Sequence, residues 1–183
     1  MRLAAILAVM AAMAGTDARA DSKIGREVTV YCSDKADVPM LDGMQAQSLA
    51  SGMFAKIGVK LNWRPGNPSR PETSAIVIEL VKGTPATFKP GSLAYALPYE
   101  GVHIQIFWDR IKKTPAPREV LAHVMAHEIT HILQGIARHS NEGVMKANWT
   151  PQEEYAMKAK PLAFTQEDIE LIYAGMASPL AGK

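Results

Sequence analysis

The amino-acid sequence predicts an α+β fold, in which a mixed β-sheet forms first and the helices group after it. Five segments of strand length lie within residues 27–111, with a single amphipathic helix among them. The longest helical pattern comes after the last of these segments. Strands followed by helices are typical of α+β domains, so we expect one twisted mixed sheet of about five strands with a long helix packed on it.

The first half of the chain is predicted to form a strand, a helix and two more strands. "EVTVYC", residues 27–32, alternates and is β-branched, as a half-buried strand is. Residues 38–58 carry apolar side chains at helical spacing and end at a glycine, Gly58. "VKLNW" (59–63) and "SAIVIELVKG" (74–83) have strand composition, and the segment between them is rich in proline and glycine.

The next segments are predicted to complete the sheet and to begin the main helix. "LAYALPY" (93–99) and "VHIQIFWDRI" (102–111) have the composition of a pair of strands. Residues 115–135 show the clearest helical pattern, because proline and Glu119 suit the first turn and a glycine stops the last one.

The last part of the chain is predicted to be mostly loop, with a helical piece near residues 152–158. A closing helix is expected in "FTQEDIELIYAGM", residues 164–176. There Thr165 and Asp168 have the spacing of a capping box, which satisfies backbone donors at a helix start.

The first 20 residues have the pattern of a secretory signal peptide. Arg2 is followed by an apolar run, and "ARA" at residues 18–20 supplies the small residues of a cleavage site. The run is about a dozen residues long, shorter than the roughly 20 that span a bilayer, so cleavage is favoured over a membrane anchor. We expect residues 21–183 to be one exported domain, secreted or periplasmic, and a monomer.

Charge and cysteine content limit the possible partners. The 20 basic and 18 acidic residues nearly balance, and no basic cluster with interleaved aromatic residues is present, so nucleic acid is not expected as a ligand. The single cysteine, Cys32, has no partner for an intramolecular disulfide, and its surroundings do not resemble a lipid-attachment site. A hydrophobic core or a metal must therefore stabilise the domain.

The segment "HEITH", residues 127–131, has the spacing of a zinc hydrolase site. His127 and His131 are four residues apart, so in a helix they lie on one face with a rise of about 6 Å between them. Glu128 can reach a metal-bound water without being a ligand. Zinc lowers the pKa of such a water to about 7, and a carboxylate can take its remaining proton during attack on a carbonyl. The pattern predicts two zinc ligands and a general base.

A catalytic zinc site also needs a third protein ligand and an open position. His139 is our candidate, because it lies four residues past Gly135, where the chain can turn back toward the other two histidines. His123 is separated from His131 by about 12 Å of helix rise, too far for both to bind one ion. The carboxylate alternatives are Glu142, Glu153 and Glu154.

These residues resemble the signature of the metzincin zinc peptidases, in particular the matrixin-like branch. That signature is HExxHxxGxxH followed by a methionine turn beneath the metal. "HEITH" matches it at His127, Glu128 and His131, "RHS" is similar to the third-ligand segment at His139, and "GVM" is similar to the methionine turn at Met145. The closing "FTQEDIELIYAG" is also similar to the last helix of matrixin catalytic domains.

The spacing differs from the family pattern at two positions. Gly135 falls one residue later than the family's glycine, and His139 falls two residues later than its third histidine. Either the exit from the helix is longer in this chain or the third ligand is a different residue.

The resemblance implies that residues 21–183 form a zincin-like catalytic domain that hydrolyses peptide bonds in an extended peptide or protein. It implies a zinc ion over the active-site helix, and an upper edge strand that pairs with the substrate through backbone hydrogen bonds. Residues 93–99 or 102–109 are the candidates for that edge.

Two other hypotheses remain beside the exported zinc endopeptidase. The first is a zinc-dependent hydrolase of a non-protein substrate, because the same activated water attacks other carbonyls. The second is a non-catalytic zinc-binding protein, which would need a closed set of four ligands.

Overall fold

A computed structural model describes residues 26–70, 75–96 and 102–177. The predicted signal peptide lies outside these residues. The elements in chain order are β1 (Arg26–Lys35), α1 (Met40–Ala55), β2 (Val59–Pro65), β3 (Ile76–Val81), β4 (Ala94–Ala96), β5 (His103–Phe107), α2 (Trp108–Ile111), α3 (Pro117–Gln134), α4 (Pro151–Ala156) and α5 (Gln166–Ala177).

The strands form one mixed sheet of five strands in the order β2-β1-β3-β5-β4. β1 is parallel to both β2 and β3, and Val30 pairs with Trp63 on one side and Ile76 on the other. β5 is parallel to β3, whereas β4 runs antiparallel to β5. This sheet, with its helices, confirms the predicted α+β class. Of the two candidate substrate-binding segments, only β4 is an edge strand, because β5 lies between β3 and β4.

The core lies between one face of the sheet and the helices α1 and α3. Alternate residues of β3 and β5 point into it, so Ile78 and Ile106 are fully buried while Gln105 is exposed. α1 contributes Ala50 and Phe54, which are four residues apart and therefore share one face of the helix. α1 and α3 also pack against each other, and this contact places α3 across the sheet.

One predicted strand is shorter than expected. The segment 102–111 was predicted to be a strand throughout, but the strand ends at Phe107 and residues Trp108–Ile111 form the short helix α2. Trp108 and Ile111 are both buried, at the three-residue spacing of a helix face. The prediction failed because four residues are too few to show a helical period in the sequence.

The predicted helix ends are confirmed at α3 and α5. α3 begins with proline at Pro117 and ends at Gly135, which adopts the left-handed conformation with φ 66°. At the start of α5, the backbone N–H of Asp168 donates to Thr165 Oγ1 at 3.2 Å. In return Asp168 Oδ2 accepts from the N–H of Thr165 at 3.0 Å, which completes the predicted capping box.

α5 packs closely against the end of α3. Gly175 lies directly over the backbone carbonyl of Leu133, and no side chain would fit between them. Among the described residues, no helix is both long enough and apolar enough to cross a membrane.

Candidate metal centre

Two histidines of α3 point their ring nitrogens at each other. His127 and His131 are both buried, and their Nε2 atoms are 3.0 Å apart. The Nδ1 atom of His127 lies 2.8 Å from the carbonyl oxygen of Val144, and that of His131 lies 3.1 Å from the carbonyl oxygen of Ile136. A carbonyl oxygen only accepts hydrogen bonds, so each Nδ1 carries the proton of its ring. Both Nε2 atoms therefore present a lone pair to the same point.

This arrangement fits a metal ion better than it fits two neutral rings alone. Two facing lone pairs repel unless a cation lies between them. A proton is a poor candidate for that cation, since burial and then the neighbouring His131 lower the pKa of His127 to about 3. Burial likewise lowers the pKa of His131. Two nitrogens bound at about 2.1 Å to one tetrahedral ion are about 3.4 Å apart, which is close to the observed separation.

His139 completes a group of three. Its ring centroid is 5.2 Å from that of His127 and 5.0 Å from that of His131. One possible ligand atom from each of the three lies within 4.8 Å of the others. The structure therefore brings together the three histidines that the sequence predicted as metal ligands, despite the longer spacing.

The alternative ligands predicted from sequence do not join this group. Glu153 accepts from Lys146 Nζ at 2.6 Å and caps α4, Glu142 is exposed, and Glu154 lines the same cavity without belonging to the group of three. His123 is a packed residue, as expected. Its Nδ1 is 2.6 Å from the carbonyl oxygen of Glu119, and its Nε2 accepts from the backbone N–H of Leu162 at 3.0 Å.

Glu128 lines the cavity with the three histidines. Glu128 is the residue after His127 on α3, and its side chain is half-buried. Burial raises the pKa of this carboxyl to about 8. A nearby divalent cation would lower the pKa again, toward the range in which a carboxylate exchanges protons near neutral pH.

The segment after His139 forms a turn that contacts His127. Val144 and Met145 are fully buried, and the carbonyl of Val144 is the acceptor for His127. The backbone N–H of Ser140 donates to the carbonyl of Met145 at 2.8 Å, which closes the loop. The turn thus contacts His127 through the carbonyl of Val144, and the role of Met145 as a methionine turn stays a prediction.

A buried carboxylate on α5 holds the loop that carries His139. Asp168 is fully buried, and its Oδ1 accepts from Arg138 Nη1 at 2.9 Å and from Ser140 Oγ at 2.6 Å. These two donors are the residues on either side of His139. Burial alone would raise the pKa of Asp168, but hydrogen bonds from Ser140, Thr165 and Arg138 outweigh it and hold the pKa below its ordinary value. The sequence showed Asp168 only as a capping residue, because nothing local links it to a loop 28 residues earlier.

Asp168→Asn is expected to weaken zinc binding by about 10-fold, because a neutral amide oxygen accepts the bonds from Arg138 and Ser140 more weakly than a charged one, and the amide NH2 would face the N–H of Thr165. The same change should lower the free energy of unfolding of the metal-free protein by about 1–3 kcal/mol at pH 7. Competition with a chelator and urea denaturation measure the two effects. The folded pKa lies below the unfolded value of about 3.9, so the stability difference should persist down to that pH and shrink only as the pH falls further.

Glu167→Gln is the matched control for this prediction. Glu167 also pairs with Arg138, but its side chain is exposed, so its removal should cost well below 1 kcal/mol. Equal losses of zinc affinity in both variants would show that the buried carboxylate has no special part in placing His139.

The three histidines lie in a cavity of about 570 Å³. Residues 89–94, which lead into the edge strand β4, line it, as do residues 146–149 after the methionine turn. Tyr155, on α4, is exposed and does not line this cavity.

No protein-family model matches the chain, and no curated protein matches its sequence significantly. Solved structures do match its fold. One is archaemetzincin from Methanopyrus kandleri, with a TM-score of 0.57 and 15% identity over 85% of this chain and 98% of that one. A zinc-dependent peptidase from Methanocorpusculum labreanum has a TM-score of 0.56 and 10% identity, covering 78% of this chain and 99% of its own. Metalloproteinase-II from Bacteroides fragilis has a TM-score of 0.55 and 11% identity, over 83% of this chain and 54% of its own.

These likenesses confirm the zincin-like fold predicted from the sequence. They support a zinc metallopeptidase fold without singling out the matrixin-like branch, which stays a prediction.

Proposed function

We propose that this protein is an exported zinc-dependent endopeptidase, with His127, His131 and His139 as the ligands and Glu128 as the general base. The observation that carries the proposal is the pair of opposed Nε2 lone pairs, 3.0 Å apart, with a third histidine beside them. The fold shared with structures described as zinc-dependent peptidase and metalloproteinase supports it.

The chain's own groups would each have a defined part in the reaction. Zinc, when bound, would supply Lewis acidity toward the scissile carbonyl and toward water. Glu128 lines the cavity beside the histidines, where it could take the proton of the attacking water and pass it to the leaving amine. The carbonyls of Val144 and Ile136 orient the rings of His127 and His131, so that their free nitrogens need no rearrangement to bind.

The sheet edge supports an extended peptide as the substrate. β4 has a neighbour on one side only in the described part of the sheet, and the segment leading into it lines the cavity. A substrate strand added to this edge would lie across the histidines, with backbone hydrogen bonds supplying affinity for many sequences. Export through the predicted signal peptide, a secreted or periplasmic location and a monomeric state belong to this proposal.

The metal content of purified protein and of His139→Ala, measured with casein cleavage in parallel, tests the proposal. We expect about one zinc per protein in the wild type. The variant should bind zinc at least about 100-fold more weakly and lose cleavage, because two ligands hold the ion poorly. His103→Ala is the matched control, since His103 is exposed on β5 and does not line the metal cavity.

Three results would contradict the proposal in different ways. Full zinc occupancy and activity without His139 would assign the third ligand to another residue. Zinc bound as expected, with neither casein nor a peptide library cleaved, would favour a hydrolase of a non-protein substrate. Absence of zinc from the wild type would leave the three histidines without a metal role.

A further inference from the structure

The cavity over the histidines continues along α3 toward the start of that helix. Val124 lies one turn before Glu128 and lines the same cavity. The indole of Trp149 also lines it, with its ring centroid 5.9 Å from that of His127 and 6.0 Å from that of His123. The cavity therefore offers apolar surface at Val124 and Trp149, and Val124 lies one helical turn away from the proposed general base.

A second carboxylate besides Glu128, that of Glu154, also lines this cavity. It belongs to the first turn of α4, which a capping box between Thr150 and Glu153 holds in place. The Glu154 side chain is half-buried, and within the described residues no hydrogen bond or ion pair involves it. Burial raises its pKa above the ordinary value, with no cation to offset the effect. Glu154 is thus a partly desolvated acid whose charge is not compensated.

The two lysines of the cavity do not neutralise Glu154. Lys146 is already paired with Glu153, at 2.6 Å between Nζ and Oε1. Lys89 is exposed, in the segment that leads into β4. The unpaired carboxylate of Glu154 therefore remains available to a ligand in the cavity that Trp149 also lines.

A long basic side chain fits this part of the cavity. Side chains of an extended peptide alternate between its two faces, so a substrate on β4 points some of them toward α3. Lysine and arginine have an apolar stem, suited to the walls at Val124 and Trp149, and a charged head, suited to a carboxylate.

We propose that Glu154 makes this site selective for substrates with lysine or arginine beside the cleaved bond. The proposal rests on the proposed peptidase function and adds the class of side chain that the cavity accepts.

Cleavage of matched peptides tests the selectivity. A random peptide library first locates the cleavage position in the zinc-loaded protein. Peptides with lysine, or with its uncharged analogue norleucine, at each flanking residue then give kcat/KM values. At one of these positions lysine should be preferred by about 10-fold. Glu154→Gln should bring the ratio close to one, and Glu154→Lys should favour glutamate. Glu142→Gln, an exposed carboxylate outside the cavity, is the control and should keep the wild-type ratio.

Binding separates this proposal from the peptidase function. The affinities of the lysine peptide and the norleucine peptide are measured with zinc-loaded Glu128→Gln. Trp149 lines the cavity, so tryptophan fluorescence reports binding. The lysine peptide should again be preferred by about 10-fold. Cleavage or binding without preference for lysine, or a preference that persists in Glu154→Gln, would overturn the role of Glu154 while leaving the peptidase function intact. Preferred binding of the lysine peptide by Glu128→Gln, together with no peptide cleavage by the wild-type protein, would contradict the peptidase function alone.

Discussion

Glu128→Gln is expected to lower peptide cleavage by at least about 100-fold while zinc remains bound at the wild-type level. The amide keeps the size of the side chain but cannot accept the proton of the attacking water. The metal ligands remain in place, because the orientation of His127 and His131 depends on the carbonyls of Val144 and Ile136. Steady-state cleavage of a fluorogenic peptide and zinc content by mass spectrometry measure the two quantities.

The outcome of this substitution shows whether Glu128 acts in proton transfer or supports the metal site. Loss of zinc together with activity would show that Glu128 supports the metal site rather than the proton transfer. Unchanged activity would refute its role as the base. A change in kcat at nearly constant KM is the expected signature, because the interaction is needed in the transition state more than in the substrate complex.

Gly175→Ala is expected to destabilise the folded protein by about 3 kcal/mol or more, in the range of severe overpacking. A Cβ at this position would overlap the carbonyl oxygen of Leu133 and come within 2.9 Å of its carbonyl carbon. Both atoms belong to the backbone of the last turn of α3, so relief requires α5 to move away from that helix. Urea denaturation of the metal-free protein measures the loss.

Gly52→Ala is the matched control, since Gly52 also lies within a helix but has open space around it. Alanine there should stabilise the protein by up to about 1 kcal/mol, through its higher helix propensity. If both variants unfold at the same urea concentration, the close approach of α5 to α3 is not a constraint on stability.

Local patterns predicted much of the fold and the centre of the site. The strand segments, the long helix that ends at Gly135 and the capping box at Thr165 each rest on neighbouring residues, so their signals lie within a short window of sequence. The relation of His127, Glu128 and His131 also follows from the period of a helix. His139 could be proposed because it lies four residues past Gly135, where the chain can turn back toward the other two histidines.

Contacts between distant segments were not predictable in this way. The buried carboxylate of Asp168 accepts hydrogen bonds from Arg138 and Ser140, which lie far from it in the sequence. No local sequence pattern predicts that these residues come into contact. Glu154 was considered only as a metal ligand, since its position along the cavity depends on how α4 follows the turn at Met145. The short helix α2 was missed because four residues form a single turn.

The position of Asp168 in the chain also determines when the loop that carries His139 can be fixed in place. All three histidines precede α5, yet the loop carrying His139 is tied to a carboxylate of that helix. A chain that ends at residue 160 contains all three histidines but not this anchor. The loop that carries His139 would then be held in place only after α5 has been made and has docked against α3, so a truncation before α5 should leave the three histidines without their common geometry.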